Sequence, residues 1–584
     1  MSRSLPTLSV RQRHAAVLSL YALAGLIVMW HIVSAGLSHF TVYPAADPSM
    51  PIWALGYYAH ALAHLQNPFF THLINEPTGY STMISTPLWS LLMVPVTWLF
   101  GPVVSFNVLL FVLPVASAYV MYLAIRHWVA SESISALAGL LWGFSPFVMA
   151  ANLLGWINWT TSLTLPLLLV VATDLWVLRR WSDRRLGLSV AGIAALTFFT
   201  NSEMLAVTAV VGLIALLLMV LVWWRRGAQI SPGVVRRICV IGAWALIPAA
   251  VVILPAAWYA THGPNHLPSW VWPEVFMRMQ GMNPSRYFAP SNFHDTIVTV
   301  LMSYPNSYFA GALVVVPVAF GIALTWRRPL TIVLTCVGAL SVWFSLGAAV
   351  PLDIFRVFLS FPVLHNVMPR SFVPVAFFCI VSLAAIGVNE ARHCRPDAVA
   401  ACRWLSVALG LLMSVQILQS SFSAAPMRAE KVGSDPAAAV LASHSPHILT
   451  VMTYPFPEVG RGLIAQAKNG FTYRVVGAMG PSANLELPDS AFFIHTTAAL
   501  TLFGFIPPHE DQWLHRLGSD IYRTGAKYVI VPIHVPRHLR TYGFAGPKAM
   551  REVMTAIWGQ PQVIAGEWVY RVSLSRLVAL DAPR

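Results

Sequence analysis

The sequence predicts an α-helical polytopic membrane protein of about eleven spans, followed by a C-terminal extracytoplasmic domain of α/β or α+β class. Three observations carry that prediction. Of 584 residues, 57% are hydrophobic and 10% charged, with mean hydropathy +0.67, whereas soluble domains carry about 25% charged residues. Apolar runs of roughly 18 to 23 residues recur between Val17 and Phe422. Each is long enough to cross about 30 Å of hydrocarbon as a helix, a structure that satisfies its own backbone there. From Ser423 onward no such run occurs and the composition is that of an ordinary soluble domain.

Arginine sets the orientation, because cytoplasmic loops hold an excess of Lys and Arg. Clusters stand at Arg3, Arg11 and Arg13, at Arg126, at Arg179 to Arg185, at Arg225 to Arg237, at Arg327 and Arg328, and at Arg392 to Arg403. Helices thread between them only if Pro87 to Phe100, short and ended by Gly101-Pro102, stays interfacial or re-entrant. The expected spans are then Val17 to Leu37, Val103 to Ile125, Ile134 to Met149, Thr160 to Leu178, Leu188 to Thr200, Leu205 to Val222, Cys239 to Tyr259, Ser307 to Trp326, Leu330 to Leu346, Phe372 to Val388 and Leu405 to Phe422. That path leaves the N-terminus inside and residues 423–584 outside, with residues 1–422 as the membrane domain.

The long loops, rich in His, Asn, Pro and aromatics, all fall outside, which places the working surface there. The net charge of +14 is read as cytoplasmic basic clusters meeting anionic headgroups rather than as nucleic-acid binding. All five cysteines lie in spans or on the inner side, so no disulfide framework supports the outer domain. That domain is expected to stand on its own core, with strands at His447 to Thr453, Tyr473 to Val476, Lys527 to Pro532 and Val563 to Val572. Helices are expected at Asp435 to Ser443, Asp511 to Gly525 and Pro547 to Trp558. It carries no GxGxxG, Walker, HExxH or GxSxG arrangement in a strand-to-helix context, and so reads as a binding or bracing unit.

The polar segment Tyr43 to Ser85 holds the first candidates. Asp47, stiffened between Pro44 and Pro48, suits a general base or a divalent-metal ligand; equally, Asp47 or Ser49 suits the N-cap of a helix over Ile52 to Leu65. His60 and His64 share a helix face at a spacing that suits a metal, with His64 the metal candidate beside Asp47 and His60 a candidate for binding substrate. The alternative is a plain interfacial helix whose Trp53, Tyr57 and Tyr58 join an aromatic belt. Glu76, in a turn-rich stretch, and Glu203, at the outer end of a span, are further carboxylates for acid/base work; Glu203 also reads as a water-exposed loop residue. Arg370 breaks the positive-inside rule and suits a substrate phosphate or, alternatively, a headgroup anchor. Asn152, Trp156, Asn158 and Trp159 pair amides with aromatics, as sugar sites do and as membrane belts also do.

The run Asp47-Pro48, Trp53, His60, Asn67-Pro68 and Glu76-Pro77-Thr78-Gly79, with Gly101-Pro102, Asn107, Ser145-Pro146, Pro369-Arg370-Ser371-Phe372 and Tyr454-Pro455-Phe456-Pro457 through Gln466 and Gly470, resembles a group of bacterial membrane proteins related to the GT-C superfamily of integral membrane glycosyltransferases. The resemblance implies a GT-C-like fold and a polyprenyl-phosphate sugar donor at the outer leaflet. It further implies a catalytic Asp at Asp47, an envelope glycan, glycolipid or protein as acceptor, and residence in a bacterial plasma membrane. A divalent cofactor, Mg or Mn, belongs to the same expectation. Two positions depart from the family's usual pattern: Asp47 stands as a single acid between Ala46 and Pro48, and Gly155-Trp156 replaces a Gly-His pair. The competing class is a non-catalytic lipid or polysaccharide binding, transport or envelope-assembly scaffold protein.

Overall fold

In the computed structural model the described residues are 9–42, 48–84, 86–227, 232–266, 274, 277, 281, 312–349, 355–361, 364–393, 399–424, 427–433, 435–454, 461–477, 492–493, 496–497, 499–500, 504, 511–533 and 547–581. Helix α1 (Val10–Ala35) is followed by β1 (Phe40–Thr41), α2 (Ser49–Ala63) and a short hairpin of β2 (Phe70–Thr71) and β3 (Tyr80–Ser81). Two short helices, α3 (Pro87–Leu92) and α4 (Val94–Phe100), then precede α5 (Pro102–Ile125). Pro87 to Phe100 thus breaks into pieces of 6 and 7 residues, far below the length of a crossing.

The membrane domain continues through α6 (Glu132–Gly143), α7 (Pro146–Leu153), α8 (Ile157–Thr160), α9 (Thr164–Thr173), α10 (Asp183–Thr200), α11 (Ser202–Arg225) and α12 (Pro232–His262). It ends with α13 (Ala312–Thr325), α14 (Pro329–Leu346), α15 (Phe355–Leu359), α16 (Val373–Ala391) and α17 (Val399–Ala424). Among the described residues, 8 stretches are long and apolar enough to cross a membrane. The other three expected spans also meet helices, residues 307–311 of Ser307 to Trp326 lying outside the described residues. Of these, α10 opens on Asp183, Arg184 and Arg185, while α13 and α17 include the apolar stretches Val314–Thr325 and Trp404–Val415.

Small residues and prolines decide how the helices meet. A Cβ on Gly143 would lie 2.5 Å from the Pro114 carbonyl, so only glycine lets α6 approach α5 this closely. Pro114 has no N–H to give the Leu110 carbonyl one turn back, and Asn152 Nδ2 fills that vacancy at 3.0 Å. Asn107, also buried in α5, donates to the carbonyls of Leu37 and Phe40, each at 2.8 Å, and accepts the Thr41 hydroxyl at 2.7 Å. The chain leaving α1 is therefore fixed just before residues 43–47.

The C-terminal region forms a five-stranded sheet in the order β6-β5-β7-β9-β8. Its strands are β5 (Leu449–Thr453), β6 (Tyr473–Val475), β7 (Tyr528–Pro532), β8 (Gln562–Ile564) and β9 (Glu567–Arg571). β5, β6 and β7 run parallel, while β9 lies antiparallel to both β7 and β8. Ahead of the sheet, β4 (Glu430–Lys431) pairs with β1. Helices α18 (Pro436–Ser443), α19 (Arg461–Lys468), α20 (Asp511–Arg523), α21 (Lys548–Trp558) and α22 (Leu574–Asp581) complete the region. The single expected strand over Val563 to Val572 is a hairpin, turned at Ala565 and Gly566, both with positive φ.

Two expectations are corrected here. The C-terminal region has a core of its own around Met452, Leu517 and Met554, but a second core is shared: Trp53, Tyr57 and Tyr58 of α2 pack with Leu463, Phe471 and Tyr473. Those three aromatics are fully buried rather than placed in a membrane belt, because the C-terminal region covers them. The loop also extends the sheet: Ile74 bridges to Val475, and Val475 N–H donates to the Leu73 carbonyl at 2.9 Å.

Candidate active site

Arginine-bearing helix ends meet one another, Arg13 and Arg126 at Glu132, Arg392 at Ser131 and Arg328 at Glu390, and the candidate site forms at the opposite ends of α11 and α16. Asn201 caps α11 by accepting the Met204 N–H at 3.0 Å, while its Nδ2 donates to the Asn158 carbonyl at 3.5 Å. Glu203 therefore sits in the first turn of α11, where the helix dipole favours an anion. Its Oε1 accepts the Met368 N–H at 2.6 Å and also the Ser371 hydroxyl. It is half-buried and ties α11 to the Pro369–Phe372 turn, which excludes the reading of a water-exposed loop carboxylate.

Between those two anchors lies Arg370, only 8% exposed. Its guanidinium carbon stands 5.9 Å from the centre of the Trp156 ring, within cation–π range, and one terminal nitrogen lies 2.8 Å from Met368 Sδ. Burial at this level is rare for arginine and requires partners. Trp156 in turn is aimed by Gly155, whose φ of +67° suits glycine and whose Cβ would lie 2.6 Å from Pro48 and 3.0 Å from Phe106. Pro48 is thus packed against the Gly155-Trp156 turn and directly precedes α2.

The sequence candidates divide accordingly. Glu203, Arg370, Trp156 and Asn158 are brought together; Asp47 lies outside the described residues. Pro48 occupies the N-cap position of α2, with no side-chain cap. Asn152 is fully buried and its Nδ2 serves the Leu110 carbonyl, a packing role. Trp159 meets Phe147 edge-on at 6.0 Å. His60, His64 and Glu76 belong to a second group, where the loop meets the C-terminal region. Glu76 pairs with Arg474 at 3.1 Å and with His72 at 3.7 Å. The His60 and His64 rings lie 4.2 Å apart, His64 Nδ1 is bonded to the His60 carbonyl at 2.8 Å, and His60 also contacts Phe471. Burial, and next the adjacent His64, hold His60 below the ordinary histidine value. Among the described residues no group of three His, Cys, Asp or Glu comes together, so these two histidines do not fit a divalent ion.

Sequence reasoning passed over Ser371 and Asn201. The Asn201-Ser202-Glu203 run does carry an N-cap signal that puts Glu203 in the first turn of a helix, but nothing local points to its partners, 165 and 168 residues away.

No family model and no curated protein matches the sequence. Solved structures do match. Arabinofuranosyltransferase AftD from Mycobacteria aligns at TM-score 0.56 with 14% identity, over 97% of this chain and 40% of its own length. The oligosaccharyltransferase of Archaeoglobus fulgidus aligns at 0.52 with 12% identity, over 88% of this chain and 69% of that one. ArnT from Cupriavidus metallidurans, solved bound to undecaprenyl phosphate, aligns at 0.50 with 11% identity, over 99% and 100%. The chain thus spans about 40% of the length of the mycobacterial enzyme. The chain shares the overall fold of these solved structures, and its 8 long apolar stretches among the described residues make it a multi-pass membrane protein.

Proposed function

We propose that this protein transfers a sugar, a hexose or a pentose, from a polyprenyl-phosphate donor to an envelope glycan, glycolipid or protein at the outer face of a bacterial plasma membrane. The observation that carries the reading is the buried Arg370, which lies over Trp156 while Glu203 anchors Met368 and Ser371 on either side of it in the chain. A rigid guanidinium at the mouth of an apolar bundle is suited to a phosphate on a lipid carrier, because it offers a planar fork of donors. The solved ArnT complex holds a lipid of that chemistry within a comparable fold. Gathering of the arginines at the opposite end supports a cytoplasmic N-terminus and an outer C-terminal domain.

In the proposed step the acceptor oxygen forms a bond to the anomeric carbon while the bond from that carbon to the phosphate oxygen breaks. Its electron pair stays on the phosphate, where Arg370 stabilises the charge. The acceptor proton passes to the Asp47 carboxylate. Glu203 orders the turn that carries Arg370, and Glu76 ties the loop to β6 through Arg474.

Binding and transfer separate these roles. With polyprenyl phosphate alone as ligand, Arg370→Ala is expected to weaken binding at least tenfold, whereas Asp47→Ala keeps the affinity and loses transfer. Equal binding by the Arg370→Ala variant would sink the phosphate assignment.

A further inference from the structure

Gln466, in α19, is fully buried and belongs to the C-terminal region, yet its side chain serves the loop after α1. Its carboxamide oxygen accepts the Trp53 Nε1–H at 2.6 Å, and its Nε2 donates to the carbonyls of Leu73 at 2.7 Å and Tyr473 at 2.5 Å. One side chain therefore grips both arms of the loop, α2 through Trp53 and the sheet-pairing arm through Leu73. The amide can face only one way: a flip would set its nitrogen against an N–H and its oxygen against two carbonyls.

The fit around this contact is close. A Cβ on Gly56 would lie 3.2 Å from both Ala467 and Phe471, so α2 and α19 approach across a glycine. Trp53 stacks on Tyr57 at 4.9 Å and meets Phe471 edge-on at 5.9 Å. At the N-terminal end of the same 15-residue helix, five residues before Trp53, Pro48 packs against Gly155, beside the Trp156 that underlies Arg370. Trp53 and Pro48 are little more than one helical turn apart, so the rigid start of the helix carries placement from the one to the other.

We propose that Gln466 is a positioning residue for sugar transfer. Through Trp53 and α2 it sets where Pro48, the residue that follows Asp47 in the sequence, stands against the Gly155-Trp156 turn, which makes the C-terminal domain a working part of the active site. The inference rests on the function proposed above. The plain alternative is that Gln466 only glues the loop to the domain.

Full-length protein in proteoliposomes distinguishes the two. Gln466→Leu is expected to lower kcat per folded molecule about 100-fold, the scale of a 1 Å misplacement, while KM for the donor stays within about threefold. The double variant Trp53→Phe/Gln466→Leu removes both ends of the indole–amide bond and leaves no buried indole N–H unpaired, while the Tyr473 carbonyl still loses its amide donor. It is expected to recover part of the thermal stability lost by Gln466→Leu without recovering kcat. Recovery of both together, or a loss of kcat in Gln466→Leu that merely follows the folded fraction, would overturn the proposal. A second readout needs no turnover: Ser49→Cys, at the fully buried first residue of α2, is labelled with an impermeant maleimide in the presence and absence of Gln466→Leu. Labelling is expected to accelerate severalfold when the helix is loosened, and an unchanged rate would overturn the brace. If the unsubstituted protein transfers no sugar, the proposed function fails and the labelling result alone judges Gln466.

Discussion

At the Arg-rich end of the bundle, arginines stitch one helix to another: Arg328 forks onto Glu390 at 3.0 and 2.8 Å, Arg237 meets Asp183 at 2.7 Å, and Arg13 and Arg126 share Glu132 at 3.3 and 3.7 Å. At the loop end the same residue types are arranged differently. Glu203 gives its oxygen to a backbone N–H and a hydroxyl that flank Arg370, and the guanidinium lies over an aromatic face. The first arrangement closes a frame; the second orients a cation. Residue type and charge are alike in both places, and only the partners separate scaffold from site.

The contrast is sharpest at Arg370. Arg370→Ala is expected to lower transfer by about 100-fold to 1,000-fold, the scale of losing one preorganised donor to developing charge, with folded yield maintained. A variant with near-normal kcat/KM would put Arg370 on the frame side. A smaller effect is expected at Glu203, which acts through the turn. Glu203→Ala should cost roughly 10-fold to 100-fold in kcat, and Glu203→Gln, which keeps an acceptor oxygen for Met368 and Ser371, should regain most of it. If the Gln variant is as poor as the Ala variant, the charge itself matters and Glu203 moves toward the chemistry.

Arg328→Ala at the opposite end tests the other half of the comparison. The Arg328 side chain is 54% exposed, so its pair with Glu390 is screened and worth about 1 kcal/mol or less. Activity per folded molecule should be unchanged and the melting temperature lowered by no more than about 2 °C. The smallest effect is expected at Glu430 in β4, whose carboxyl burial raises from 4.5 to about 7, with Arg428 opposing. A raised carboxyl binds its proton more tightly when folded. Its contribution to stability is therefore present below the unfolded value and declines as pH rises from about 4.5 toward 7. Thermal melts of Glu430→Gln should lack that part of the decline and lie slightly above the parent at neutral pH.

Much of the frame was legible because hydropathy is a local signal. Eight of the eleven expected spans coincide with stretches long and apolar enough to cross a membrane among the described residues, and Gly101-Pro102 closes the short pieces before α5. The strands around Leu449, Tyr473 and Tyr528 followed from short β-branched and aromatic runs, whereas the Ala565-Gly566 turn was overlooked inside one run. The aromatic face of α2 was misassigned for a physical reason: Trp and Tyr suit a membrane belt and a buried interface equally, and the choice depends on Gln466, 413 residues downstream. The residues of the candidate site were visible in the sequence as types, Arg370, Glu203 and Trp156, but their contacts were not. Likewise Asn152 suited a sugar by composition, and only the Leu110 carbonyl orphaned by Pro114 reveals its packing role.

The central claim, that the loop end of the bundle transfers a sugar from a lipid carrier, is tested most directly in proteoliposomes. A panel of polyprenyl-phosphate sugars and an envelope glycolipid extract would be supplied to the intact protein and to Asp47→Ala at equal folded yield. The account predicts labelled acceptor and released polyprenyl phosphate from the intact protein, and neither from the variant. Transfer undiminished by Asp47→Ala, or none from either protein across the panel, would contradict it and favour a binding or scaffold role.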